Sequence, residues 1–325
     1  MGKWVIALTI VGCLGAPGQL GAQAKPSAAK SSTPPKTADG QPDLQGYWTN
    51  ATLTPLERPA QLAGKATLTA EEAAAYVKQI REQGNRDRRG GSADTDVGEA
   101  YNDFWFDRGT KIVGSLRTSL VVDPPDGKIP PLTPGAQKRV DGARAYAREH
   151  PADGPESRGL TERCILWATA GPPMLPGPYN NAYQIVQNRD YVVILTEMIH
   201  DARVVPLDGR PHLGGGVRQW MGNSRGHWEG NALVVDTTDF SGKAPFRGSD
   251  QNLHLVERFT RVDANTLQYE FTVNDPSAFT KPWTVQIPFA KAEGPIFEYA
   301  CHEGNYAMTD MLGGARAEEQ KGATR

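Results

Sequence analysis

The stretch "IFEYACHEGNYAM", residues 296–308, sets Cys301, His302 and Glu303 side by side. Three chemistries fit that trio. A thiol beside an imidazole makes a nucleophile with its base. Cysteine, histidine and glutamate are all metal ligands. An exported chain also uses such a cysteine as half of a disulfide, and Cys164 is the candidate partner. All three readings stay open, as does a free buried thiol at either cysteine. Strand geometry favours one pairing. Neighbours on a strand point to opposite faces, so Cys301 and His302 diverge while His302 shares a face with Glu298. A carboxylate orienting an imidazole is the more physical pair.

The other histidines extend this reasoning. In "EMIHDAR", Glu197, His200 and Arg203 lie close together, and "LHLVERF" groups His254, Glu257 and Arg258. Histidine titrates near neutrality, which suits acid–base work. The expected catalytic set is therefore His200 or His302 as base, Glu197 or Glu298 to orient it, and Arg258 or Arg203 against developing negative charge. No histidine pair has the H-x-H or H-E-x-x-H spacing of a zinc site, so no metal ligand is assigned, metal content stays open, and no cofactor is expected. Expected ligand contacts are Tyr101 and Trp105 in "YNDFWFDRG", Tyr179 and Asn180 in the Pro-Gly loop "GPPMLPGPYNN", and His254 and Arg203. Ser224 stands in a literal G-x-S-x-G, "GNSRG", but the residues after it read as strand where a nucleophile elbow needs a helix.

These residues need elements to hold them. "TLTAEEAAAYVKQIREQGN" predicts a helix with Thr69 and Glu72 as a capping box. "LTPGAQKRVDGARAYAREHP" predicts a second, with Thr133 as N-cap and Pro134 at the first position. "RTSLVVDPPDGKIPPL" between them predicts a short hairpin. From Ala182 onward, eight to ten strands follow at regular spacing, joined by short turns, with alternation such as Leu267, Tyr269, Phe271, Val273 against Gln268, Glu270, Thr272, Asn274. The expected fold is mainly β: an antiparallel meander barrel, calycin- or lipocalin-like, over residues 166–318. A helix-and-hairpin region, 41–165, packs on it, and 319–325 form a flexible tail. A β-sandwich is the alternative. Closing the sheet hides its edges.

The 325 residues are long enough to bury a sizeable core. A net charge of −2 argues against a general nucleic-acid binder. The N-terminus reads as an export signal over residues 1–24: Lys3, an apolar run from Trp4 to Leu14, and the small-x-small site Ala22-Gln23-Ala24. Cys13 in "IVGC" supports a lesser reading as a lipoprotein anchor. Residues 25–40, "KPSAAKSSTPPKTADG", read as a disordered linker.

The runs "SLVVDPPDGKIPPLTP", "EMIHDARVVPLDGRPH", "WMGNSRGHWEGNALVVDTTDF", "LHLVERFTRVDANTLQYEFTVNDP" and "YACHEGNYAM" resemble a large family of exported proteins of soil bacteria such as acidobacteria and sphingomonads. The resemblance covers roughly residues 40–318. It implies export, the barrel fold and a single structural unit, and it transfers no catalytic role to any residue. Asn223 and Asn231 stand where that family usually carries aspartate.

The expectation is an exported protein, periplasmic or secreted, with a polar, aromatic-rimmed pocket for a small organic molecule. If catalytic, it is a cofactor-independent hydrolase or lyase. A non-catalytic ligand carrier and an envelope interaction protein are the alternatives.

Overall fold

The computed structural model describes residues 34–87, 92–93, 102–167, 169–214 and 216–323. The export signal, Cys13, most of the linker and Tyr101 lie outside them. The linker's last residues are ordered, with Lys36 bridged to Pro42 and the Thr37 amide donating to the Gln41 carbonyl at 2.8 Å.

The strands are β1 (Gly46–Thr49), β2 (Val121–Asp123), β3 (Ala182–Gln187), β4 (Tyr191–Thr196), β5 (Ala202–Pro206), β6 (Asn223–Glu229), β7 (Ala232–Thr238), β8 (His254–Arg261), β9 (Thr266–Asn274) and β10 (Trp283–Lys291). The helices are α1 (Ala70–Gln83), α2 (Pro134–Glu149) and α3 (Ala307–Ala323). Strand order is β5-β4-β3-β1-β10-β9-β8-β7-β6, antiparallel at every pairing, and β2 adds to β10. The sheet curls until β5 faces β6, giving a nearly closed nine-strand barrel rather than a sandwich.

Side chains seal the seam. Gly226 on β6 is the close-approach point: a Cβ there would lie 2.7 Å from Leu207 and 2.8 Å from Val205. Gly226→Ala is expected to cost about 1–3 kcal/mol through overpacking, read as a lowered urea midpoint. An unchanged midpoint would mean the seam is slack.

Alternation drives the curl. Leu267, Tyr269, Phe271 and Val273 of β9 and Trp283, Val285, Ile287 and Phe289 of β10 all point inward and are buried. Each such side chain contributes about 1.5–3 kcal/mol of burial. Tyr269 packs on Phe259, Phe271 and Phe289, and Tyr183 stacks on Phe289. The interior is thus filled with rings, where a lipocalin-like reading would place the ligand.

Both helix starts form as their residues dictate. The Glu72 amide donates to Thr69 Oγ1 at 3.2 Å, and the Thr69 amide donates to Glu72 Oε2 at 2.9 Å. The Ala136 amide donates to Thr133 Oγ1. Three expectations change. The Pro124–Gly127 turn forms, but its arms pair with β10 and, at Leu132, with Phe279 rather than with each other. The segment after Gly294 is not a strand, because β10 already bonds β9 on one edge and β1 and β2 on the other. Finally, α3 occupies the end of the expected barrel and most of the expected tail.

Candidate functional site

Two of the residues singled out by sequence form a charge pair inside the barrel. Arg203 on β5 donates to Glu257 Oε2 at 2.6 Å and to Oε1 at 3.1 Å. The Tyr269 hydroxyl donates to Glu257 Oε1 at 2.7 Å and accepts from the Met174 amide at 3.1 Å. Glu257 is 0% exposed. Burial acts to push the Arg203 guanidinium down, but the adjacent Glu257 carboxylate outweighs it and holds the group above its ordinary value. Burial, and then the Glu257 charge, push the Tyr269 phenol well up. This chain of bonds ties the Pro-Gly loop, through Met174, to the barrel core. Arg203 is therefore committed to Glu257 rather than to a ligand.

The expected catalytic pairs do not assemble. Glu197 is buried, and its oxygens accept the Ala182 amide at 3.2 Å and the Phe297 amide at 3.0 Å. His200 meets it only through a backbone bond, from the His200 amide to the Glu197 carbonyl. Nearby, burial pushes the Asp201 carboxyl up, against the pull of His200. Glu298 and His302 are exposed on the unpaired segment after β10. Arg258 pairs with Glu229 at 2.8 Å on the outer barrel face. Ser224 lies on β6 with its Oγ 3.0 Å from Thr237 Oγ1, so no nucleophile elbow exists. Cys164 and Cys301 form a disulfide, which answers the thiol question. Tyr299 and Cys301 pack against Ala170, Met198 and Ile199 beneath it.

Trp105 is 61% exposed and meets Phe104, itself 82% exposed, edge to face at 5.4 Å. Tyr179 packs on Trp167 at 5.8 Å, and Asn180 sits in the left-handed region at φ +51°. The neighbouring Asn181 holds the loop: its Nδ2 donates to the Gly177 carbonyl at 3.1 Å and its Oδ1 accepts the Gly177 amide at 2.6 Å.

The structure instead gathers a cluster on the outer barrel face. Asp236 of β7 accepts at both oxygens, Oδ1 from His212 Nε2 at 2.8 Å and Oδ2 from His254 Nε2 at 2.6 Å. Asn223 Oδ1 lies 3.2 Å from His212 Nδ1 and accepts the Leu213 amide. All three charge-bearing groups are half-buried. The hydrogen bond from His254 is the main reason that the Asp236 carboxyl lies below its usual range, and its reciprocal holds the His254 imidazole up. One carboxylate thereby orients two imidazoles, an arrangement suited to proton transfer. His254 belonged to the expected ligand set; Asp236 did not. Its signal was a lone carboxylate at an outward position of the apolar run "ALVVDTT".

The linkage has a definite sign. His254, with a raised folded value, stabilises below its unfolded value of about 6.5 and ceases to as pH rises through the folded one. Asp236 stabilises above its unfolded value of about 3.9 and ceases to as pH falls through its depressed one. The difference in urea midpoint between the protein and His254→Gln is expected to be largest between about pH 4 and 6.5 and to shrink at higher pH. A difference that grows with pH would sink this assignment.

A separate cavity of about 220 Å³ is walled by Trp167, Pro172, Trp220, Phe240, Phe246 and Leu253 among others. The same two connections serve both features. Residues 207–222 carry His212 and Trp220, and residues 239–253 carry Phe240, Phe246 and Leu253 and lead directly into His254. The Pro-Gly loop supplies Gly171 and Pro172. Phe246 stacks on Trp283, placing the cavity over one end of the filled barrel. The sequence pointed to Tyr179 and Asn180 of this loop and missed the two tryptophans, which are 53 positions apart in the chain.

Among the described residues, no helix is long and apolar enough to cross a membrane. No protein-family model matches the chain, and no curated protein matches it.

Proposed function

We propose that the protein is exported to an oxidising compartment and binds a small aromatic molecule in the cavity formed by Trp167, Trp220, Phe240 and Phe246. The carrying observation is that cavity: four aromatic walls at the end of a barrel whose own interior is full. Its volume of about 220 Å³ is below the range of roughly 300–1,000 Å³ typical of drug-sized ligands. That points to a one- or two-ring compound. The leader-like N-terminus and the Cys164–Cys301 disulfide support export.

Calorimetric titration with 1-naphthol tests the reading. Saturable binding is expected, weakened about tenfold or more (roughly 1.4 kcal/mol) by Trp220→Ala with the melting temperature kept. Equal binding by Trp220→Ala and Phe246→Ala would refute it.

The carboxylate-bridged histidines favour a second reading, in which the bound molecule is also turned over with His254 as acid–base group. His254→Ala then abolishes turnover and leaves 1-naphthol binding intact, whereas a carrier has no turnover to lose.

A further inference from the structure

The Pro-Gly loop walls a second cavity on the side of Leu175–Pro178, of about 440 Å³. It is lined mainly by leucine, proline and threonine, with two arginines and no carboxylate. Arg108 is pinned: its Nη1 donates to the Gly84 carbonyl at 2.9 Å, and its guanidinium sits 4.0 Å from the centre of the Phe106 ring. Arg247 is different. It is solvent-exposed at the rim, among the described residues its side chain has no hydrogen-bond or ion-pair partner, and Glu57 attracts it only through space.

The backbone presents this side chain deliberately. Arg247 has φ +52°, a left-handed conformation that non-glycine residues rarely hold. The turn around it is closed by reciprocal bonds between Phe246 and Ser249, each amide donating to the other's carbonyl at 2.9 Å. Ser249 Oγ in turn donates to Asp275 Oδ2 at 2.6 Å, fixing the turn to the end of β9. A strained backbone held this firmly keeps an accessible guanidinium, with no partner in the protein among the described residues, at the rim of an apolar cavity.

We infer that this cavity binds an organic carboxylate, its apolar body against Leu120, Leu175 and Pro176 and its head on Arg247, with Arg108 as second cation. The planar guanidinium takes a carboxylate through two parallel bonds. The leucine and proline lining calls for a hydrocarbon body, which inorganic anions lack. The site is separate from the aromatic cavity and does not depend on it.

Calorimetric titration of the full chain at low salt, with hexanoate, 1-hexanol and inorganic phosphate, tests the assignment. Hexanoate is expected to bind at least tenfold more tightly than either of the others. Arg247→Gln should lose at least tenfold in hexanoate affinity, Arg247→Lys should lose less, and Trp220→Ala should lose nothing. Equal binding of 1-hexanol, phosphate binding without hexanoate binding, or full hexanoate affinity in Arg247→Gln would each overturn it. If Arg247→Gln lowers the melting temperature, Arg108→Gln provides the same comparison from the other side of the cavity.

Discussion

Glu257→Ala is expected to destabilise the barrel by about 3–5 kcal/mol, because it leaves a buried arginine uncompensated. Among the described residues Arg203 has no other carboxylate within bonding distance, and Tyr269 loses the acceptor for its hydroxyl. The effect reaches beyond the pair. Tyr269 also receives the Met174 amide, so the Pro-Gly loop loses its tie to the core. Chemical denaturation measures the loss, and hydrogen exchange at Met174 reports the loosened loop. The double variant Arg203→Met, Glu257→Leu is expected to recover most of the stability, since well-packed apolar side chains replace buried ion pairs at little cost. A loss below about 1 kcal/mol for Glu257→Ala would mean that water reaches the pair.

Removing the disulfide is the second large effect. Cys164 and Cys301 are 137 residues apart in sequence, so the cross-link restricts a long loop of the unfolded chain. Cys164→Ser with Cys301→Ser is expected to cost about 2–4 kcal/mol. Part of that loss has a visible location. The disulfide, together with the bond from the Phe297 amide to Glu197, straps the chain after β10 across Met198 and Ile199. Limited proteolysis should therefore cut the doubly substituted protein first between residues 292 and 306. Global stability equal to that of the parent protein would show that the strap holds only itself in place.

How much of this was readable in the sequence varies with the range of the interaction. The alternation of β9 and β10 is written in adjacent residues, and so are the caps at Thr69 and Thr133; all formed as read. The alternation also set Glu257 on one face with Leu255 and Phe259, and Arg258 on the other with His254 and Val256. Which face is inner it left open, and the structure turns the Glu257 face inward, so His254 and Arg258 line no interior cavity. What it could not supply was partners. Arg203 reaches Glu257 across the barrel interior, and His212 reaches Asp236 from 24 residues upstream. Glu197 and His200 are close in sequence, yet the turn between them spends the carboxylate on backbone amides. Residues 296–303 look strand-like in isolation, but a strand requires a free edge, and β10 has none to offer. α3 was hidden by Gly313, Gly314 and Gly322, which weaken the helical signal.

The position of β1 carries a consequence for how the chain comes to its fold. Trp48 pairs with Tyr183 on one side and with Lys291 on the other. The first strand to be synthesised therefore waits, with one edge bare, until the last has been made. Contacts spanning nearly the whole chain make for slow folding. The meanders β3–β5 and β6–β10 pair neighbours in sequence, but the joint between them through β1 and β10 is a late event. A polypeptide built this way locks into its full barrel only when its first and last strands meet.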